Sequence, residues 1–587
     1  MDREPAPEAR FVRAFSLSEL PEMGCRTVTL EGHVIAVFQT IVGVFAVDNR
    51  CPHMGFPLER GSVKDCILTC HWHHARFDLN SGGTFDQWAD DVRVFPVEAR
   101  DGAVWIDVAE HGDPNRRNIE RLRVGLERDL PLVIGKSVIG LMQTDGGARE
   151  AFKIGIEFGT RNRRAGWGSG LTILTCMMNL LPHLAADDRP RALYHGLSAV
   201  AEDSAGQAAL FAVRPLPGPS GDIATLKRWF RSFVEVRDSE GAERCVVSAV
   251  RQGASPREVA GMMFAAATDH RYLTIGHVLD FTNKAFEALD HAGWEFAEQA
   301  LASLASSYAS GDRMEESNSW RSPIDLIEIL ERAFDALPTA LEAGRKAGGM
   351  WSQPDQLTSV LLGEDPEAIV RAMLAALREG CQPAELGGTV ARAAALRIAR
   401  FALSNEFGDW DTAHHSFTFS NAVHQALVRA PSLELIRGAF DAAISVYLTR
   451  FLNVPPARLR HPKEGAIDST KLLEELPTIL DRQQQVDETA TALAAYVRAD
   501  GKPEALLAGL GGAMLREDRD FHAIQNIEAA FRQYSMRAGT HAATDFLIAT
   551  GRYLAAHSPT VRAQRQTYQI ALKLSRGERV FEEGDAQ

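Results

Sequence analysis

The sequence changes character near residue 110, and this change limits the chain to a small β domain followed by a large helical region. Before the change, short runs rich in Val, Phe and Ile alternate with Gly, Pro, Asp and Asn, which is typical of antiparallel strands. After it, long stretches of Ala, Leu, Glu and Arg carry apolar residues three and four positions apart, which predicts amphipathic helices. The predicted strands are 11–15, 26–30, 33–38, 42–48, 92–97 and 103–108.

The same change predicts the domain organisation and the class of protein. We expect a β domain over 1–108, a polar linker over 109–118 and an α-helical domain over 119–587. Seven cysteines in 587 residues are too few for a secreted disulfide framework. A formal net charge of −14 argues against binding to nucleic acid or to an anionic membrane. The charged first ten residues and the lack of an apolar run of about 18 residues predict a cytoplasmic protein without a membrane helix.

The helical region contains internal repeats near 249–289 and 376–427, with a weaker third copy near 503–531. The first parts of the two stronger copies are 127 positions apart and the second parts 138, which predicts an eleven-residue insertion around 401–411. Each copy contains a proline and a glutamate, a pairing that favours a helix start. A histidine also recurs, at 277, 415 and 522. Packing alone explains a recurring histidine less easily than a recurring helix start.

Two segments of the β domain each offer one thiolate and one imidazole. The first contains Cys51 and His53 with one residue between them, and the second contains Cys70 and His73 with two residues between them. A [2Fe–2S] cluster fits this set if the cysteines hold one iron and the histidines the other. Zinc also accepts two Cys and two His, and unrelated buried side chains are a third interpretation.

Residues 10–108 resemble the Rieske family in more than these four positions. Pro52, Gly55 and the pair Phe77-Asp78 also stand where that family usually has them. The resemblance implies an antiparallel β fold and a [2Fe–2S] cluster with Cys51, His53, Cys70 and His73 as its ligands.

The segment departs from the high-potential members of that family. Those proteins carry a further cysteine in each loop and join the two by a disulfide, whereas Phe56 and Trp72 stand at these positions here. They also carry a serine that bonds a cluster sulfide, where this chain has Ala75. Fewer hydrogen bonds to the sulfurs lower the reduction potential. The resemblance therefore implies the low-potential ferredoxin type of dioxygenase systems.

Histidines are the main candidates for chemistry in the helical region. His277 and His415 occupy one repeat position, and His270 and His424 lie near them. We predict that these four line a cavity as metal ligands or as acid–base groups; the alternative is that each is a packed histidine with a polar partner. His270 and His277 are seven residues apart, which predicts one helix face, whereas His415 and His424, nine apart, should face opposite ways. Further histidines in these segments are His183, His195, His414 and His522, and nearby carboxylates are Glu157, Glu202, Asp203 and Asp280.

Several motifs expected of known oxygenases do not occur. The sequence Asp411-Thr-Ala-His414 begins the Asp-x-x-His-x-x-x-x-His iron motif of Rieske oxygenases, but Phe419 replaces the second histidine. There is no Glu-x-x-His pair for a di-iron bundle and no glycine-rich strand–turn–helix for a nicotinamide or flavin. We therefore expect electrons to come from a separate ferredoxin reductase or another donor.

The histidine-bearing segments are similar to those of the questin oxidase-like family, over about residues 150–550. This resemblance implies oxygen insertion into an aromatic, polyketide-like ketone. Our first hypothesis is a Rieske oxidoreductase that passes electrons to a helical oxygenase-like domain acting on a small organic substrate, with an additional metal there as an open question. The alternative is an electron-transfer or sensing protein whose helical repeats dock another protein without catalysis.

Overall fold

A computed structural model of the protein describes residues 9–86, 88–109, 114–211, 213–218, 221–349, 351–406, 408–457, 468–499, 501–578 and 580. The chain divides into two compact units, one formed by Met1–Ile154 with Gln564–Gln587 and the other by Gly155–Ala563. Within the described ranges, no helix is both long enough and apolar enough to cross a lipid bilayer.

The first unit contains three small antiparallel sheets, as the alternating apolar runs predict. Their orders are β1-β10-β9, β2-β3-β4-β8 and β5-β6-β7. The strands are β1 Phe11–Ser16, β2 Cys25–Leu30, β3 His33–Thr40, β4 Gly43–Asp48, β5 Ser62–Lys64, β6 Ile67–Thr69, β7 Arg76–Asp78, β8 Val94–Phe95, β9 Val97–Arg100 and β10 Ala103–Asp107. One apolar core lies between the first two sheets, and a second core, which includes Cys51 and Cys70, lies under the third sheet.

Helices make up the remainder of the described chain, which confirms the predicted fold class. They are α1 Pro114–Glu127, α2 Pro131–Leu141, α3 Gly147–Arg161, α4 Ser169–Leu180, α5 Arg189–Ser204, α6 Ile223–Glu235, α7 Ser239–Arg251, α8 Pro256–Ala267, α9 His277–Ala292, α10 Ala297–Ala302, α11 Ala305–Ser310, α12 Asn318–Arg321, α13 Leu326–Ala347, α14 Pro354–Leu361, α15 Pro366–Arg378, α16 Pro383–Ala399, α17 Asp409–Arg429, α18 Leu433–Leu448, α19 Ser469–Asp481, α20 Val486–Arg498, α21 Pro503–Leu515, α22 Phe521–Met536, α23 His541–Ala556 and α24 Ala563–Ser575.

The first unit extends beyond the strands. Helices α1 and α2 and most of α24 belong to the same compact unit as the β sheets. Helix α1 begins at Pro114, inside the segment 109–118 that the sequence indicates as a linker, and residues 110–113 of that segment lie outside the described residues. The limits 1–108 and 119–587 of the functional domains stay a prediction.

The repeats correspond to pairs of consecutive helices, α8 with α9, α16 with α17 and α21 with α22. The first helix of each pair begins at its repeated proline, which confirms the predicted helix starts; in the first pair Ser255 and Glu258 form a capping box. The predicted insertion around 401–411 is wrong, because both stronger pairs have a connection of equal length. The additional residues instead lengthen the helices: α16 has 17 residues against 12 in α8, and α17 begins six residues before its histidine, whereas α9 begins at its own.

Four helices of the second unit form a closed ring of neighbours, α4 with α9, α9 with α17, α17 with α22 and α22 with α4. A charged network fixes this ring from inside. The ammonium of Lys284 in α9 donates to Glu287 of the same helix at 2.9 Å and also to Glu528 of α22. The amide of Asn179 in α4 donates to both carboxylates, at 2.7 Å and 2.9 Å. The network therefore connects three of the four helices.

Lys284 is fully buried, so we expect its loss to be costly. Replacing it by methionine leaves Glu287 and Glu528 without their fully buried cation, and the cation that remains is the partly exposed Arg532, 3.9 Å and 3.6 Å from them. Loss of one partner of a buried ion pair typically costs about 3–5 kcal/mol. We predict that Lys284→Met lowers the free energy of unfolding of the helical unit by about this amount, measured by urea denaturation. Lys471→Met is the matched control, because that side chain is 70% exposed and should change the value by less than about 0.5 kcal/mol. Equal effects of the two variants would contradict this account.

Candidate metal centres

Two tight loops of the first unit bring the four candidate cluster ligands together. Loop one, residues 51–56, follows β4, and loop two, residues 70–75, connects β6 to β7. The loops repeat one backbone pattern. The Cys51 N–H donates to the carbonyl of Phe56 at 2.8 Å, and the Cys70 N–H donates to that of Ala75 at 2.8 Å. Each loop is thus closed by a hydrogen bond from its cysteine to the carbonyl five residues later.

The fifth residue of each loop has left-handed backbone geometry. Gly55 has φ +81° and donates to the Cys51 carbonyl at 2.7 Å, while His74 has φ +63° and donates to the Cys70 carbonyl at 3.0 Å. Only the first loop meets this requirement with glycine, the residue that adopts such a φ without strain. The turn folds each loop back onto the carbonyl of its own cysteine.

The two cysteines are buried and their thiols lie in hydrogen-bond contact. This contact lowers the pKa of the Cys70 thiol to about 6 and, together with burial, raises that of Cys51. Backbone N–H groups two and three residues later also donate to each sulfur, which favours the thiolate form. A pair of buried sulfurs surrounded by amide donors suits an iron–sulfur centre.

The two histidines lie nearer the surface, with His53 half-buried and His73 exposed. Their ring centroids are 4.9 Å apart. Burial, and then the neighbouring His73 and Lys136, lower the pKa of His53 to about 4, so this imidazole is neutral at physiological pH. Its Nδ1 atom is buried without a hydrogen-bond partner. A neutral imidazole with an unpartnered nitrogen is ready to bind a metal, so the four residues fit a [2Fe–2S] cluster.

Aromatic side chains occupy the positions where the high-potential family members have their disulfide. The rings of Phe56 and Trp72 lie 6.2 Å apart and join the two loops by an apolar contact. Ala75 is fully buried and has no hydroxyl to donate. The low reduction potential expected from these residues stays a prediction.

A second group of candidate ligands lies in the helical unit, where one histidine from each repeat meets the others. His277 of α9, His415 of α17 and His522 of α22 each offer a ring nitrogen within 4.8 Å of the other two. The Nε2 atoms of His415 and His522 are 3.1 Å apart. Two imidazoles on one ion, with bonds of about 2.1 Å each, lie at most about 4.2 Å apart, so this pair meets the requirement.

Backbone strain places His277 in this group. Tyr272, Thr274 and Ile275 all have φ between 46° and 49°, and Gly276 has φ +94°. A Cβ atom on Gly276 would lie 2.8 Å from Cβ of Phe419, so only glycine allows the start of α9 to approach α17 this closely. Residues other than glycine cost free energy in the left-handed backbone region, and they occur there preferentially at functional sites.

The electrostatic environment keeps the imidazoles of His277 and His415 neutral. Burial and the neighbouring histidines lower the pKa of His277 to about 3 and that of His415 to about 4. Three imidazoles form a ligand set for Fe, Zn, Cu or Ni. One turn after His277, burial raises the pKa of Asp280 to about 7, despite the nearby Lys284 and an amide hydrogen bond from Gln525.

The three-histidine group is not sealed from its surroundings. His277, His415 and His522 are each half-buried, and so are the neighbouring rings of Phe281 and Phe521. These two rings lie 5.3 Å and 5.7 Å from the His277 ring. The site therefore combines nitrogen ligands with an aromatic wall, an arrangement that can hold a flat apolar molecule beside a metal ion.

Two of the four predicted catalytic histidines lie elsewhere. His270 contacts the carboxylates of Glu315 at 2.7 Å and Glu235 at 3.1 Å. The prediction that it shares a helix face with His277 is wrong, because the strained turn before α9 separates them. His424 contacts the side-chain carbonyl oxygen of Gln533 in α22 at 3.0 Å, eleven residues along that helix from the His522 that His415 contacts. Each of these two histidines therefore has a polar partner, as the alternative interpretation expects, and a catalytic role for them stays a prediction.

His522 belongs to the group although the sequence analysis did not select it as catalytic. The signal was the third repeat, in which a helix start at Pro503 is followed by this histidine. His414 is fully buried next to the group, and its Nδ1 accepts from the amide of Asn526 at 2.9 Å. His183 and His195 contact the rings of Phe531 and Tyr194.

Comparison with known proteins identifies the β domain of the first unit. The family model described as the Rieske [2Fe-2S] domain matches residues 10–96. The 3-phenylpropionate/cinnamic acid dioxygenase ferredoxin subunit of Photorhabdus laumondii is 34% identical over 97 residues, which are 16% of this chain and 91% of that protein. The ferredoxin component of the naphthalene 1,2-dioxygenase system of Pseudomonas aeruginosa is 27% identical over 101 residues, 17% of this chain and 97% of that protein.

Among solved structures, the ferredoxin of Sphingomonas yanoikuyae B1 is 25% identical, with a TM-score of 0.16, and the match covers 17% of this chain and all of that one. The two relatives named above are ferredoxin components of dioxygenase systems, and the matched family model is that of a [2Fe-2S] domain, which favours an iron–sulfur cluster over the zinc alternative. Residues 10–96 therefore form a [2Fe–2S] domain, and the chain belongs to the Rieske family.

Proposed function

We propose that the protein is an oxidoreductase in which the Rieske cluster supplies electrons for an oxygen-dependent reaction at the three-histidine group. One observation carries this proposal. In a chain that begins with a Rieske domain, three repeats of the helical unit each contribute a neutral or half-buried imidazole to one point. Packing alone does not require His277, His415 and His522 to converge, whereas a metal ion does.

The cluster site accepts electrons from another protein. Cys51, His53, Cys70 and His73 hold the cluster, with the histidines on the side nearer the solvent. Matched relatives are separate ferredoxin components of dioxygenase systems, and the sequence lacks a nucleotide-binding fingerprint. Residues 1–108 carry sixteen Asp and Glu against ten Lys and Arg, and this acidic balance favours a basic reductase.

The histidine group provides the place for the reaction. A bound Fe(II) ion would supply the activation of dioxygen, as it does in other non-haem oxygenases. His277, His415 and His522 would hold that ion. Asp280 lies three residues after His277, and because burial raises its pKa to about 7 it can hold or release a proton at neutral pH. Its buried Oδ1 has no hydrogen-bond partner and is the atom available for that proton.

The surroundings favour an aromatic organic substrate. Phe281 and Phe521 offer half-exposed rings next to His277, and offset stacking on such rings orients a flat substrate. The resemblance to the questin oxidase-like family points to the same class, an aromatic polyketide-like ketone that receives an oxygen atom. The systems named in the matched relatives also act on aromatic compounds, naphthalene and cinnamic acid.

We predict that His277→Ala, His415→Ala and His522→Ala each abolish substrate oxidation and remove the metal that exceeds the cluster iron. The reason is that each variant deletes one of three ligands. Iron and acid-labile sulfide are measured on the purified full-length protein, where the wild type should contain more iron than sulfide. The visible and EPR spectra of the cluster should stay unchanged in all three variants.

His424→Ala is the matched control, since this buried histidine of α17 lies outside the group. It should keep the excess metal and most of the activity. The docking scaffold without catalysis would be favoured by two results together. The wild type would contain equal iron and sulfide, and the three histidine variants would not differ from it in metal content or in substrate oxidation.

A complementary variant tests the electron input. Cys51→Ser removes one cluster ligand, so we expect loss of the cluster spectrum and of reductase-driven turnover, while the metal at the histidine group remains. Cys66→Ser is the control, because this half-buried cysteine lies between the loops and its sulfur contacts only the hydroxyl of Thr40, at 4.0 Å, among the hydrogen bonds of the described chain. A Cys51→Ser protein with a normal cluster spectrum would refute the ligand assignment.

A further inference from the structure

A buried lysine from the helical part of the first unit reaches loop one. Lys136 lies in the middle of α2, and its ammonium donates to the carbonyl oxygen of Pro52, at 2.9 Å. Pro52 stands between the proposed ligands Cys51 and His53. The same ammonium donates to Asp90 at 3.1 Å, and the side chains of Lys136 and Asp90 are each only 9% exposed. Helix α2 therefore contacts loop one at the residue between Cys51 and His53.

The charges around this contact do not cancel. Asp90 is shared between Lys136 and Arg121, so two cations surround one carboxylate. The cavity at this place, about 380 Å³ in volume, is also lined by Cys51. Further charged residues that line it are Asp48, Arg50, Asp91, Arg93 and Arg117. With five cations against three carboxylates, the cavity beside loop one is positive.

The positive charge acts on the ligands themselves. Lys136 interacts electrostatically with Cys51, and it is one of the groups that lower the pKa of His53, after burial and His73. Buried charges are screened far less than surface charges. Reduction adds an electron to the cluster, and a fixed cation nearby stabilises that more negative state.

We propose that Lys136 is a positioning residue of the Rieske centre, which clamps loop one at Pro52 and raises the reduction potential of the cluster. The inference rests on the proposed ligand set of loop one. It assigns to α2 a part of the tuning that a serine performs in the high-potential family members. Ala75 and the missing disulfide lower the potential, and the buried ammonium acts against them.

The test is an EPR-monitored redox titration of the full-length protein carrying Lys136→Met or Asp90→Asn. In Lys136→Met, the ratio of reduced to oxidised cluster at a fixed ambient potential should fall at least tenfold, which for one electron is a shift of 59 mV. In Asp90→Asn the anion is lost and both cations remain, so the ratio should rise. Simple disruption of the loop does not move the two variants in opposite directions.

Two controls separate the charge from other effects. Lys136→Arg keeps the cation and should stay within threefold of the wild type, and Lys64→Met removes an exposed lysine of β5 and should leave the ratio unchanged. An unchanged potential in Lys136→Met with a loaded cluster would overturn the inference. Where Lys136→Met does not load, an unchanged or lowered potential in Asp90→Asn overturns it. A wild-type protein without a Rieske EPR signal would instead refute the cluster site itself.

Discussion

The buried ion network of Lys284, Glu287 and Glu528 is the interaction on which the helical site depends. It fixes the axial position of α9 relative to α22, because Lys284 and Glu287 lie in α9 and Glu528 lies in α22. His277 lies seven residues before Lys284, and His522 lies six residues before Glu528. Two turns of helix therefore carry the register set by the charges to the two imidazoles. A slip of one helix past the other would both separate the charges and open the histidine group.

The sequence allowed the β domain and its ligands to be predicted because that information is local. Alternating apolar residues define the strands, and Cys51, His53, Cys70 and His73 lie within 23 residues of one another. The helical site is different, since its three histidines are separated by more than a hundred residues each. Only the repeat connected them, and its third copy was too weak to select His522. The strained turn before α9 separates His270 from the group. Such a turn does not change the spacing of apolar residues, so the sequence could not predict it.

The two candidate centres use similar physical means to prepare their ligands. In both, burial disfavours the charged imidazole, so His53, His277 and His415 are neutral at physiological pH without any metal. Both also use left-handed backbone positions next to a ligand, Gly55 in loop one and Gly276 before α9. The packing of the surrounding sheets and helices thus holds the metal-binding side chains in place before any metal binds.

The last helix of the chain belongs to the first unit, and this has a consequence for dissecting the protein. A Cβ atom on Gly55 of loop one would lie 3.3 Å from Leu574 of α24, so the far end of the polypeptide covers part of the cluster-binding loop. The unit Gly155–Ala563 is thus inserted between two segments of one compact body. A shortened electron carrier therefore keeps this contact with loop one only if it retains α24, whereas a chain that stops after the last strand leaves Gly55 without it.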